Sequence, residues 1–443
     1  MMQLLHKLGL CCTVGIVCIA GTQIGLGADT LRLSLHDAIE MAFRKNFDIQ
    51  SARQDSLMAH VVGSSGITGY LPKVSLQADI NTGANNINQS FADGRVIAKD
   101  GASVDGSSAA ATVMWTVFDG FRMFASANRY KALEQQGLSR VQATMQSVLA
   151  DVITAYSNVV ATQSFMATVD SALALAKEQM QIEELRHAVG ASSGVDLAQS
   201  RIDFNAQQAM VVQMRSTLQN ATSALLTLLN TDPQTVIVAD TSMPTMKILS
   251  RDDLVESVRQ SNPELLALQK ALEAASAHVA EVQSVFMPTI TLTGTYQYNK
   301  TTQGAGFILT SNTTGWNIGA QLTWNIFNGF SDKIAREQAL VQEEKSRIDI
   351  KALQNSIIGR IDRTYRSYQT MTELYRIYRE SYDDALKNAN VALQSLRVGT
   401  VSALQVRQAL LSVLQTGEQL TQTTYQKQLA ATELLRLTGT LIR

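Results

Sequence analysis

Trp115-Thr-Val-Phe-Asp-Gly-Phe121 and Trp324-Asn-Ile-Phe-Asn-Gly-Phe330 are two copies of one signal, set 209 residues apart (324 − 115). In each, a run of alternating apolar and polar residues stops at Asp-Gly or Asn-Gly, and a long proline-free segment follows. Alternation with period two marks a half-buried strand, and the segment beyond has helical periodicity. A strand fed directly into a long helix, twice in one chain, excludes most compact architectures.

The repeat extends outward from these two stretches. Leu33-Ser-Leu-His-Asp-Ala-Ile-Glu40 matches Leu249-Ser-Arg-Asp-Asp-Leu-Val-Glu256 at an offset of 216, as do Asn46 with Asn262 and Leu71-Pro72 with Met287-Pro288. Past the strands the offset falls to 209, pairing Tyr156 with Tyr365 and Val189-Gly190 with Val398-Gly399. The seven-residue difference (216 − 209) falls in the polar segment between paired strands, where a duplicated unit tolerates deletion. The first unit is assigned to residues 29–233, with a helix from Ser34 to about Gly63, a β-hairpin over 73–118 and a helical hairpin over 120–230. Residues 234–249 form a linker. The second unit, 250–443, has a helix, a β-hairpin over 289–327 and a helical hairpin over 329–439. Thr82–Ser108 and Thr301–Gly315 read as polar loops between strands.

The helical hairpins are very long. Val141, Met145, Val148, Val152, Ala155, Val159, Thr162, Met166 and Val169 recur in steps of four and three, a coiled-coil pattern. From Phe121 to Val189 a continuous helix would reach roughly 100 Å at ~1.5 Å per residue. Gly190 is placed for a left-handed C-cap, and Ser192 or Ser193 can cap the returning helix.

Composition narrows the function. The formal net charge is −1 and charged residues make up 17%, so no nucleic-acid partner is expected. Residues 1–28 read as a signal peptide: Lys7, the apolar run Leu8–Ala20, and cleavage near Gly27 or Ala28. All three cysteines (Cys11, Cys12, Cys18) lie within it, so the exported chain would have neither disulfide nor thiolate site. His36, His60, His187 and His278 lack ligand spacing, and no phosphate-cradling loop or nucleophile elbow is present. The expectation is no enzyme, cofactor or metal. No later segment reads as a spanning helix, so membrane insertion falls to the strands. Four strands cannot close a barrel, and an open sheet edge cannot sit in lipid; three copies would give twelve. The rival readings are a soluble β-hairpin beside a coiled coil, and a pore-free periplasmic coiled-coil adaptor or scaffold. Neither needs export, repeat, amphipathic hairpins and over-long helices together.

The export signal, the paired Leu-Pro and Met-Pro strand starts, the doubled Trp-x-[Val/Ile]-Phe-[Asp/Asn]-Gly-Phe and the doubled Val-Gly turns resemble the TolC-like outer-membrane efflux family. That resemblance implies an α+β membrane protein: a homotrimer with a twelve-stranded β-barrel in the outer membrane and an α-helical tunnel across the periplasm. It implies a passive exit duct for multidrug efflux or type I secretion, docked to a periplasmic adaptor (membrane fusion) protein and an inner-membrane pump of ABC or RND type. Val189, Gly190, Val398 and Gly399 would then mark the periplasmic tips that meet the adaptor. Asp196, Gln405 and Gln408 become the candidate entrance gate. Asp196 reads either as a ring of carboxylates in a trimer or as a carboxylate stabilising its own helix terminus. Some relatives carry two acidic residues and a basic one where this chain has Gln405, Gln408 and Val401, so a charged latch there is not expected. Trp115, Phe118, Gly120, Trp324, Phe327 and Gly329 would form the joint between barrel and tunnel.

Overall fold

The computed structural model describes residues 31–63, 69–240, 246 and 248–442. The expected signal peptide, and part of the expected linker, lie outside the described residues. In chain order the first elements are β1 (Leu31–Leu33), α1 (Leu35–Lys45), α2 (Phe47–Val62), β2 (Lys73–Ser90), β3 (Val96–Asp119), α3 (Arg122–Ala188), α4 (Gly194–Leu228) and β4 (Ile237–Ala239). Then come α5 (Arg251–Ser261), α6 (Pro263–Gln283), β5 (Thr289–Gln303), β6 (Thr310–Thr323), α7 (Ser331–Arg397) and α8 (Ala403–Thr438). The protomer is mostly helical, with one four-stranded sheet and one parallel β1–β4 pair.

The helix expected from Ser34 to Gly63 is two helices. Ser34 caps α1 in a box with Asp37, and the Ser34 hydrogen bonds hold that carboxyl below its ordinary range. At Asn46 the backbone turns extended (ψ 130°), and the Asn46 side chain accepts from the Asp48 and Ile49 amides, starting α2. Its amide nitrogen donates to the Leu228 carbonyl at the end of α4, 3.1 Å away. Asn262 does the same in the second half: it accepts from the Leu265 amide and donates to the Leu437 carbonyl, both at 2.8 Å. Each asparagine is buried and satisfies orphan groups at two helix termini at once. The half-length α4 is thereby continued end to end by α2, and α8 by α6.

Both α3 and α7 have 67 residues, roughly 100 Å at ~1.5 Å per residue. The partners of α3 are α4 and α8 along one half of its length and α2 and α6 along the other. Being flanked on two sides explains why its buried stripe exceeds the single seam read from the heptads. Val148, Val152, Val159 and Val169 are buried, but so are Leu149, Ile153, Tyr156 and Phe165 between them. By length and composition α3 also contains a stretch apolar enough to cross a membrane, which the sequence reading did not find. Its apolar side chains pack into protein clusters instead. Midway along, the Tyr156 hydroxyl lies 3.0 and 2.9 Å from the carbonyls of Leu33 and Asp240 and so pins the β1–β4 pair.

The sheet runs β2-β3-β5-β6, antiparallel throughout. Register keeps one face apolar across all four strands: Leu76, Ala111, Tyr296 and Trp316 form one row, and Val74, Val113, Gly294 and Ile318 another. The opposite face carries Gln77, Ala110, Gln297 and Gly315. The polar segments expected as loops are mostly strand. β2 and β3 pair out to Ser90–Val96 as a two-stranded ribbon beyond the shared sheet, and only Phe91–Arg95 turns. β5 and β6 likewise pair to Thr302–Thr310. Polarity misled the assignment because a ribbon wet on both faces needs no apolar alternation.

Replacing Asn262 by Ala removes a cap and strands the Leu437 carbonyl, a loss of about 2–3 kcal/mol. Asn262→Ser restores the cap alone and should recover about half of that. Thermal melting of the detergent-extracted protein reads both; a loss below about 0.5 kcal/mol for Asn262→Ala would make the end-to-end contact incidental.

Candidate functional site

Two regions draw the duplicated residues together: the strand-to-helix joints and the helical tips. At the first joint Asp119 is buried, and its carboxylate accepts from the Met123 amide at 3.0 Å, closing the first turn of α3. Gly120 (φ 68°) and Phe121 (φ 69°) are both left-handed. A side chain on Gly120 would sit 2.4 Å from the Ser284 carbonyl oxygen, so only glycine fits. The second joint repeats this: Gly329 (φ 69°), Phe330 (φ 68°), and Asn328 accepting from the Asp332 amide. Left-handed phenylalanine costs about 1 kcal/mol or more. An edge-to-face ring pair offsets part of it, Phe118 on Phe121 at 5.3 Å and Phe327 on Phe330 at 5.4 Å.

The tryptophans have a role that sequence reading missed. The Trp115 indole donates to the Tyr70 carbonyl at 3.0 Å, and the Trp324 indole to the Phe286 carbonyl at 3.2 Å. Tyr70 and Phe286 stand just before the proline that opens each hairpin, 216 residues apart (286 − 70). Each indole therefore ties the exit of a hairpin to its entrance. The joints differ in one respect: β3 continues to Asp119, whereas β6 ends at Thr323, short of the expected 327. β3 has neighbours on both sides, whereas β6 lies at the sheet edge with β5 as its single neighbour, and its backbone pairing stops at Thr323.

At the tips, Gly190 (φ 74°) and Gly399 (φ 77°) end α3 and α7. The Ala191 amide reaches back to the Arg186 carbonyl (2.8 Å), and Thr400 to Ser395 (3.0 Å), giving two equivalent helix-terminating motifs. Val189 and Val398 are 79% and 74% exposed and cover nothing in the protomer. Gln405 and Gln408 lie one turn apart at the start of α8, while Asp196 lies in the first turn of α4. Asp196 accepts from the Ser193 hydroxyl (2.7 Å) while its amide donates back (3.1 Å). Gln405 accepts from the Ser402 amide (2.9 Å) in the matching capping box. Both are exposed helix-start residues, and no hydrogen bond among the described residues links either to Gln408. His187 is exposed and lies 3.1 Å from the Ser192 carbonyl oxygen.

What joins the two tips was not foreseen. Arg186 of α3 donates to the Leu396 carbonyl at the end of α7 (3.0 Å). Arg397 pairs with Glu178, and Gln179, nearly fully buried, donates to the Ala403 carbonyl (3.3 Å). Glu183 is 1% exposed and accepts from the Ser192 hydroxyl, with Arg186 at 3.9 Å. Beneath them Ala176 and Ile182 pack with Leu393, Leu396 and Val406. A charged tie thus exists, but it starts from α3 rather than α8. Among the described residues no group of three His, Cys, Asp or Glu side chains is placed to hold a metal ion.

Arg186→Leu combined with Arg397→Leu should speed amide hydrogen exchange at Leu396–Ala403 by at least about tenfold, the loss of two charge-assisted hydrogen bonds. Unchanged exchange would mean that apolar packing alone couples the hairpins.

The chain matches the model of the family described as outer membrane efflux protein over residues 38–231 and 254–440, one match for each half. It is 24% identical to the outer membrane protein TolC of Vibrio cholerae over 318 residues, covering 69% of this chain and 71% of that one. To the alkaline protease secretion protein AprF of Pseudomonas aeruginosa it is 20% identical over 399 residues, covering 88% and 81%. Its fold matches the crystal structure of the Campylobacter jejuni CmeC outer membrane channel with a TM-score of 0.78 at 16% identity, covering 92% of this chain and 85% of that one. With both halves matched and the fold shared, the chain belongs to the outer membrane efflux protein family.

Proposed function

We propose that three copies of this chain close into a twelve-stranded barrel in the outer membrane, continued into the periplasm by a helical tunnel. The assembly is a passive exit duct for efflux or type I secretion, fed by an inner-membrane pump through a periplasmic adaptor. The observation that carries this reading is the four-stranded sheet with one coherent apolar face and two unpaired edges, β2 and β6. Leu76 and Ile318 on that face are 86% and 78% exposed. From Ile290 to Tyr298 the apolar face spans nine residues of β5, counted inclusively, the length of a tilted membrane strand of ~9–11 residues. Beyond it the same face turns polar, and the Thr82 hydroxyl donates to Asp105 (2.6 Å).

The helices support the same closure. One flank of the protomer is β2, α2 and α4; the other is β6 and α7. Phe330 at the N-cap of α7, and Ile334, Val341 and Ile348 on it, are all more than half exposed and recur at spacings of four and seven, an apolar seam awaiting a partner helix. The occupant is the next copy's α2–α4 flank. The two units, 29–233 and 250–443, then alternate six times around the wall. Cargo follows from partners: AprF is named for protein secretion, and a duct that supplies no energy serves either class.

At the periplasmic end, Val189 and Val398 offer apolar knobs to the adaptor, with Asp196, Gln405 and Gln408 at the entrance. Gly190 and Gly399 have no atom within 4 Å of an added side chain, so Gly190→Val or Gly399→Val strains only the turn. Such variants should keep the trimer size of the wild type after detergent extraction, yet lose co-purification with the adaptor. A monomeric wild type would overturn the duct; normal docking by both variants would overturn the tip assignment alone.

A further inference from the structure

The polar face of the sheet carries almost no charge. Along 73–83, 106–116, 289–303 and 311–323, the residues on that face are Ser, Thr, Asn, Gln, Gly, Ala and Met, apart from Lys73 and Asp79. Lys73 pairs with Met114 at the helical end of the sheet. Asp79 pairs with Ser108, which in turn faces Asn299, near the end where the apolar face finishes at Ile80 and Tyr298. The two other charges within the four-stranded part, Asp105 and Lys300, belong to the opposite face. Asp93, Arg95, Lys99 and Asp100 lie on the ribbon beyond it.

Asp79 is exposed and lightly held: Ser108 Oγ and Gln77 Nε2 are each 3.4 Å from its carboxylate, at the outer limit for a hydrogen bond. No ion pair neutralises Asp79 or Lys73 among the described residues. An uncompensated carboxylate on an otherwise neutral wall adds nothing evident to folding.

We infer that Asp79 is an ion-selecting residue of the barrel: three copies form a carboxylate ring near the outer mouth, opposed by a Lys73 ring at the base. This rests on the proposed trimer. Twelve strands ~4.8 Å apart and tilted ~40° make a backbone radius of about 12 Å, which places the carboxylates about 9 Å from the axis. The Debye length is ~10 Å at 0.1 M salt, so the three charges overlap at the axis. They enrich cations and deplete anions there by about two- to threefold each. At 1 M salt the Debye length is ~3 Å and the ring is screened from the axis. The barrel thus carries a filter of its own, far from the periplasmic entrance.

Planar-bilayer recordings under a KCl gradient test this with the full-length protein. Asp79→Asn should lower the potassium-to-chloride permeability ratio by about fourfold near 0.1 M and much less near 1 M. Lys73→Gln should shift the ratio the opposite way. Both positions are exposed, so neither change disturbs packing. A conducting wild type whose ratio Asp79→Asn leaves unchanged overturns the ring and spares the duct. A wild type that forms no channel overturns both.

Discussion

Backbone amides and carbonyls at a sheet edge have no partner within their own strand, and lipid supplies none. The sheet has two such edges, β2 and β6. Everything distinctive about the protomer lies on one side or the other of that deficit. The apolar face is coherent across four strands but uncovered, and the exposed seam on α7 lies on the same flank as β6. A single chain of this kind is an unfinished wall. In the proposed trimer three identical segments finish it, because head-to-tail contacts around an axis leave no edge free.

A wall that changes from strands to helices needs a joint that fixes direction. The chain uses the same device twice: an indole tie across the hairpin base, two left-handed residues, an edge-to-face phenylalanine pair and a side-chain cap on the helix. The cap is charged and buried at Asp119 but neutral and exposed at Asn328. Lower down, Asn46 and Asn262 let two short helices act as one long partner for α3 or α7. The duplication thus conserves joints and end-to-end contacts, while the tips diverge: the arginine tie starts at Arg186 in the first copy, where the second has Ser395.

The strand-to-helix joint was legible because glycine and alternation are local signals, and doubling them removed ambiguity. Of Ser192 and Ser193, the two serines offered as the cap of α4, Ser193 takes that place by the same local chemistry. The length of β2 and β3 was not legible, since Asn, Gly and Ser over 82–108 suit a solvated ribbon as well as a loop. Asn46 and Asn262 were matched by the repeat, yet their role depends on carbonyls 182 and 175 residues away (228 − 46 and 437 − 262). The tie from Arg186 to Leu396 joins two hairpins that no sequence spacing connects. Asp196 shows the limit most clearly, because a carboxylate one turn into a helix satisfies its cap whether or not it also lines an opening.

The central claim is that β2 of one copy pairs with β6 of the next, and disulfide trapping tests it most directly. Because Cys11, Cys12 and Cys18 all lie in the expected signal peptide, one cysteine at Gln77 can be combined in turn with one at Asn317, Gly319 or Gln321, all on the polar face, with no competing thiol in the exported chain. Within one protomer β3 and β5 separate these strands, and a disulfide requires Cα atoms within ~7 Å. At least one pair should yield covalent trimers on non-reducing gels of outer membranes. Only monomers at every register, from protein that is folded and inserted, would contradict closure between copies.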